Sequence, residues 1–284
     1  MKFQIKAYGK INLGLDVVGK LPNGYHEVKM VMQTVRIYDE LTFEKTEGGI
    51  EITTDSAELP TDENNLIYKA AKLMKEKYHI QEGIRIHLQK NIPIAAGMAG
   101  GSTDAAAAMK GISRLFGLDV SLLELMELGV EIGADVPYCV IGGTALAEGI
   151  GEKLTPLELA PECYVVVAKP DISVSTKYVY ERLDLEKIEK HPDIDGMVEA
   201  IGMGSLQGIL DRMDNVLETV TIPAYPVIDE LKQRMKELGA VNSLMSGSGP
   251  TVFGIFLERR TAEVALDRLE QERLAKQIFV TTFC

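Results

Sequence analysis

Apolar and polar residues alternate over short stretches at the start of the chain, where FQIKAYG, INLGLDVVG, EVKMVMQTVRI, ELTFEK and GIEITT each read as strand. Between the second and third of these, KLPNG at 20–24 combines Pro, Asn and Gly and predicts a turn. The period then lengthens. From about Glu63, with Asp62 as its cap, Leu66, Ile67, Ala70, Leu73 and Met74 fall on one face of a helix. IRIHL at 84–88 returns to strand alternation, helices follow at 102–116 and 122–132, and GTALAEGIG from 143 is again strand. YVVVAKP at 164–170 opens a second series, with helices at 174–183, 195–213, 226–238 and 261–273 and strands near 241–246, 251–257 and 277–283. Strands and helices mixed in this way indicate an α+β fold. At 284 residues the chain is near the size at which one core divides, and we place two domains, 1–155 and 156–284.

One stretch breaks the pattern. PIAAGMAGGST, residues 93–103, places Gly97, Gly100 and Gly101 directly before four consecutive alanines, Ala105 to Ala108. A flexible loop therefore passes into strong helix former, with Ser102 as a cap-type residue. The first turn of a helix has backbone N–H groups without internal partners and a dipole that favours anions, so this loop is a candidate phosphate cradle. Neither G-x-x-x-x-G-K-[ST] nor G-x-G-x-x-G occurs, which excludes the P-loop and the dinucleotide fingerprint.

Composition narrows the ligand. With 30 Lys and Arg against 42 Asp and Glu, the net charge of -12 argues against binding a nucleic-acid backbone, and so against an RNA-binding module. A small anion held locally is compatible with it. Cys139, Cys163 and Cys284 lack metal-ligand or Cys-x-x-Cys spacing and read as thiols in a reducing compartment. Charges and glycines interrupt MKFQIKAYGKINLGLDVVGK too often for a signal core or a membrane span, so the cytoplasm is expected.

Two further stretches carry chemistry. In KAYGKINLGL, Lys10 and Asn12 are two apart on a strand and share a face. In GADVPYC, Asp135 is a single carboxylate among apolar neighbours. A cradle, a cation and a carboxylate are the parts that transfer of phosphate to an alcohol requires, together with a metal ion. Taken singly, Lys10 reads as a solvated strand lysine and Asp135 as a turn residue.

Taken together, KAYGKINLGL, Pro93 to Thr103 and SGSGPT at 246–251 resemble, in order and spacing, the three motifs of the kinase superfamily named for galactokinase, homoserine kinase, mevalonate kinase and phosphomevalonate kinase. The resemblance implies a ribosomal-protein-S5-domain-2-like N-terminal domain and a ferredoxin-like α/β C-terminal domain. PNGYHE, AGMAGGSTDAA and IGADVPYC further resemble the branch that phosphorylates the 2-hydroxyl of a cytidylyl methylerythritol in isoprenoid precursor synthesis. It implies Asp135 as the catalytic base, Lys10 as its cationic partner and Asn12 on the acceptor hydroxyl. ATP phosphates would lie on Pro93, Ile94, Ala95, Ala96, Gly97, Met98, Ala99, Gly100, Gly101, Ser102 and Thr103, with Mg2+ on Ser102. Tyr25 would stack on the cytosine opposite Tyr180 or its neighbour Tyr178, and His26 would read the base edge. Glu124, at a spacing some members use for a metal ligand, reads here as a helix surface residue. Homoserine- or mevalonate-type kinases, or a silent nucleotide-binding regulator, are the alternatives; the presence of both Lys10 and Asp135 argues against the regulator.

Overall fold

The computed structural model describes residues 2–22 and 24–284; residue 23, within the turn expected at 20–24, lies outside them. The strands run farther than their sequence breaks suggest. The first two runs join as β1 (Lys2–Lys20) and the next two as β2 (His26–Thr46), followed by β3 (Ile50–Thr54). Residues 9–17 of β1 are buried without interruption. Successive strand residues face opposite sides, so this segment is enclosed on both faces, and packing overrides Gly9 and Gly14 as breakers.

The chain forms two compact units that interleave along the sequence. The first takes the segment ending at Gly9 together with Ile37–Ile94 and Ala99–Gly142. Its strand β4 (Gly83–Gln89) runs parallel to β3 and antiparallel to residues 40–46 of β2. Ile84, Ile86 and Leu88 point inward, and Arg85, His87 and Gln89 point outward, as the alternation predicts. The helices are α1 (Leu66–Lys77), α2 (Gly100–Phe116), α3 (Leu122–Ile132) and the short α4 (Val136–Ile141), which periodicity did not predict. α2 packs against α1, α3 and α4, with all four alanines from Ala105 to Ala108 buried. Small side chains let a helix be enclosed on several sides.

Helix α1 starts at Leu66, not Glu63: the Asn65 side chain accepts from Ile67 N–H, while Asp62 accepts from Asn64. An Asn at the true cap outcompetes an Asp three residues early, because only there does the side-chain oxygen reach the unpaired amides.

The second unit takes Lys10–Arg36, Ala95–Met98 and Gly143–Cys284. In it, β5 (Thr144–Gly149) pairs antiparallel with residues 28–33 of β2, and β6 (Lys153–Pro156) pairs with β5. A separate antiparallel sheet has the order β10-β7-β9-β8, made of β7 (Tyr164–Lys169), β8 (Asn242–Met245), β9 (Val252–Phe256) and β10 (Gln277–Thr282). In chain order that is 4-1-3-2, and α9 (Val227–Glu237) and α10 (Arg259–Glu272) pack on it, the arrangement of a ferredoxin-like domain. Between β7 and α9 lie α5 (Thr176–Arg182), α6 (Ile194–Gly202), α7 (Leu206–Leu210) and α8 (Glu218–Ala224). The single helix expected at 195–213 is thus two. Gly204, at φ +63°, ends the first in the left-handed conformation, and Ser205 caps the second through Gly208 N–H.

Candidate active site

In the second unit, Lys10 and Asn12 lie side by side on β1, only 5% and 0% exposed. Lys10 Nζ donates to Asn12 Oδ1 at 2.7 Å, and Asn12 Nδ2 lies 3.2 Å from Met30 Sδ. Lys10 is thus not the solvated strand lysine that it resembles when taken singly. The backbone N–H of Lys10 donates to Met98 O at 3.1 Å, which ties the first motif to the glycine loop. Ser246 of the third motif ties to the same loop, its Oγ donating to Gly97 O at 3.0 Å. Gly97 has φ +72°, and a Cβ there would collide with Ser246 O. Glycine is required on both counts. Three stretches far apart in sequence thus meet within one unit.

The same unit holds His26 and Tyr180, their ring centroids 5.2 Å apart and tilted by 38°. Tyr178 instead has the Arg182 guanidinium 3.8 Å from its ring centroid, so Tyr180 is the tyrosine beside the histidine. Burial, aided by the charge of Lys20, holds the His26 imidazole below its ordinary pKa. Tyr25 is 60% exposed.

The first unit contains the start of α2 and Asp135. Ala99 precedes α2 at φ 56°, with no side-chain cap and no acidic residue in the first turn. Helices α1, α3, α5, α6 and α7 all have a side-chain cap. Helices α4, α8, α9 and α10 lack one as well, so what sets α2 apart is the glycine loop that leads into its unpaired N–H groups. Ser102 is half-buried, and Thr103 Oγ1 donates to Tyr8 O at 2.7 Å. Pro93, Ala96 and Met98 are buried, whereas Ala95 and Gly101 are exposed. Ala95, like Ala99, is in the left-handed region, at φ 51°. Asp135 is half-buried at the start of α4, and its carboxylate makes no cap hydrogen bond. Glu124 accepts from Tyr78 OH at 2.8 Å, which matches its reading as a structural surface residue. Burial and that bond push the Tyr78 hydroxyl up to about 12.

Periodicity gives no sign of a buried charge cluster behind the start of α2. Lys90 Nζ pairs with Asp39 and, at 2.9 Å, with Asp104. Asp39 also accepts from the N–H groups of Asn91 and Ile92, at 2.6 and 2.8 Å. Asp104 Oδ1 is buried without a hydrogen-bond partner. Burial pushes the Asp104 carboxyl up to about 8, against the opposing pull of Lys90. A lysine after an alternating strand reads as solvated; only its two distant carboxylates mark it otherwise.

Residues 65–143 match the model of the GHMP kinase N-terminal domain, and residues 193–276 that of the GHMP kinase C-terminal domain. The chain is 56% identical over 279 residues to 4-diphosphocytidyl-2-C-methyl-D-erythritol kinase of Lachnospira eligens, covering 98% of this chain and 97% of that protein. It is 53% identical over 281 residues to the protein of the same name from Caldicellulosiruptor saccharolyticus, with 99% and 96% covered. A crystal structure of 4-(cytidine 5'-diphospho)-2C-methyl-D-erythritol kinase superposes with a TM-score of 0.85 at 32% identity, over 99% of both chains. Both domain models match, and near-full-length relatives share half the residues: the chain belongs to the GHMP kinase family.

Proposed function

We propose that the chain transfers the γ-phosphoryl group of ATP to the 2-hydroxyl of 4-diphosphocytidyl-2-C-methyl-D-erythritol. The convergence of the buried Lys10–Asn12 pair with Gly97 and Ser246 supports a phosphotransfer site. The names and near-full-length identity of the relatives support this acceptor. The matched segments 65–143 and 193–276 fall on either side of residue 155 and support domains at 1–155 and 156–284 as stretches of sequence, although the compact units interleave across that boundary.

In this reading the acceptor oxygen bonds to the γ-phosphorus as the bond to ADP breaks, and Asp135 takes the hydroxyl proton. Lys10 offsets charge on the transferring group and orients Asn12, whose amide binds the acceptor. The stretch from Pro93 to Thr103 holds the ATP phosphates, the uncapped start of α2 supplying N–H donors. Among the described residues no cluster of three His, Cys, Asp or Glu could hold a metal ion. Magnesium typically keeps few protein ligands beside phosphate oxygens, and the Ser102 hydroxyl fits as a hard donor. When bound, the ion neutralises charge developing on those oxygens.

Tyr25 and Tyr180 bracket the cytosine. A neutral His26 presents one ring donor and one ring acceptor, either of which can bond a polar atom of the base edge. Base stacking contributes about 1–3 kcal/mol. Tyr25→Ala should therefore raise KM for the cytidylyl alcohol by about 5- to 150-fold, leaving kcat and KM for ATP near wild type. Steady-state kinetics with each substrate varied checks this; an equal rise in KM for ATP would remove Tyr25 from the acceptor site.

Among the described residues, no helix is long and apolar enough to cross a membrane, and no disulfide joins the cysteines. The acidic charge supports an enzyme of small molecules rather than a binder of nucleic acid, and we retain the cytoplasm as its place. The deciding experiment is ATP-dependent phosphorylation of the cytidylyl alcohol, with the product position read by phosphorus NMR. Turnover of homoserine or mevalonate in its place would overturn the acceptor.

A further inference from the structure

Asn215 lies outside the three motifs, yet it is buried where two of them are joined. Its segment runs beside β1: Leu15 N–H donates to Asp214 O at 2.9 Å, and Val216 N–H donates to Leu15 O at 3.0 Å. From that fixed point the side-chain amide spans the entrance to the third motif. Nδ2 donates to Met245 O and to Gly247 O, each at 2.8 Å, while Oδ1 accepts from Leu217 N–H at 3.0 Å. Every hydrogen-bonding direction of the Nδ2 group is used, and the residue is 1% exposed.

What it holds is the loop that meets the glycine stretch. Gly247 has φ +58°, and a Cβ there would lie 3.4 Å from Gly97 O and 3.5 Å from Asn12 Oδ1. Glu218 accepts from Met245 N–H at 2.8 Å, and Thr176 shares a hydrogen bond with Ser248 at 3.0 Å. These secure either end of the turn; among the described residues it is the Asn215 side chain that grips carbonyls on both sides of Ser246, the residue that donates to Gly97.

We infer that Asn215 is a positioning residue, which sets the 246–249 backbone against Gly97 and Asn12 and so fixes the acceptor and phosphate subsites relative to each other. The inference rests on the kinase reading above. An alanine at 215 would leave two buried carbonyls without a donor. An aspartate has the same shape and still accepts from Leu217, but its carboxylate faces two carbonyl oxygens. Once protonated it regains one donor. Asn215→Asp should therefore recover as pH falls, and Asn215→Ala should not.

The test is full-chain kinetics of wild type, Asn215→Ala and Asn215→Asp from pH 5.5 to 8.5, with amide hydrogen exchange of residues 245–251. At pH 8 both variants should lose about 10²-fold in kcat, with a smaller change in KM for ATP. Exchange at 245–251 should quicken in both. Relative to wild type, Asn215→Asp should regain activity and protection at low pH. The neighbouring charged pairs, Glu218 with Lys232, Asp214 with Lys190 and His191 with Asp16, persist in all three proteins, so taking ratios removes their titration. Wild-type turnover in both variants, unchanged exchange at 245–251, or equal losses at every pH would overturn the inference. A wild type inactive on the cytidylyl alcohol would instead overturn the kinase reading, with exchange still deciding the role of Asn215.

Discussion

Asp135→Asn is expected to lower kcat by about 10²–10⁴-fold while leaving ATP binding measurable. In the mechanism proposed above Asp135 takes the acceptor's proton, which an amide of the same shape cannot do. Because the Asp135 side chain makes no cap hydrogen bond at α4, the substitution removes no helix support, and the melting temperature should stay near wild type. Lys10→Ala is expected to lower kcat by about 10²–10³-fold, since it removes the positive charge and also the donor that holds Asn12 Oδ1. Calorimetric titration with a non-hydrolysable ATP analogue separates binding from chemistry. Asp135→Asn turning over as wild type does would remove the base assignment.

The largest effect on stability is expected from Lys90→Met. The ammonium is the cation shared by Asp39 and Asp104, and removing it leaves two carboxyl groups buried with their counter-charge gone. Breaking a buried pair in this way costs about 3–5 kcal/mol. The loss should be greatest at neutral and higher pH and smaller in acid, where the carboxyl groups are uncharged. Asp104→Asn should behave oppositely. A carboxyl whose pKa is raised to about 8 in the folded state binds more protons than it does unfolded, so its contribution to stability falls as pH rises from about 4 to 8. The amide does not titrate, and this variant should lose less stability over that window than wild type. Urea unfolding at pH 5 and pH 8 checks both variants. Equal stability of wild type and Lys90→Met at pH 8 would show that the cluster does not hold this part of the fold. Since Lys90 Nζ would lie 2.9 Å from a Cβ on Gly100, Lys90→Met should also disturb the first turn of α2 and weaken ATP binding.

Local pattern and tertiary environment divided the work unevenly. The alternation of IRIHL, the apolar face of Leu66, Ile67, Ala70 and Met74, and the alanine run after the glycine loop are properties of neighbouring residues, and the elements they predict are present. Boundaries were less legible, because a cap is a contest among nearby side chains. Asn65 caps α1 in place of Asp62, and α2 begins at Gly100 before any cap-type residue. The break within β1 disappeared because enclosure on both faces outweighs local propensity, whereas across the break in β2 burial simply continues to alternate.

The sequence by itself determined the α+β class and the glycine-to-helix transition, both of which depend on spacings of a few residues. Only the tertiary structure decided that Lys10 is buried against Asn12, that Gly97 must be glycine because Ser246 lies against it, and that Tyr180 rather than Tyr178 meets His26. It also disclosed Lys90 between Asp39 and Asp104, and Asn215 beneath the third motif. The reason is the same in each case. Burial and hydrogen-bond partnership depend on residues tens to hundreds of positions away, and no local period records which distant group will fill a given space.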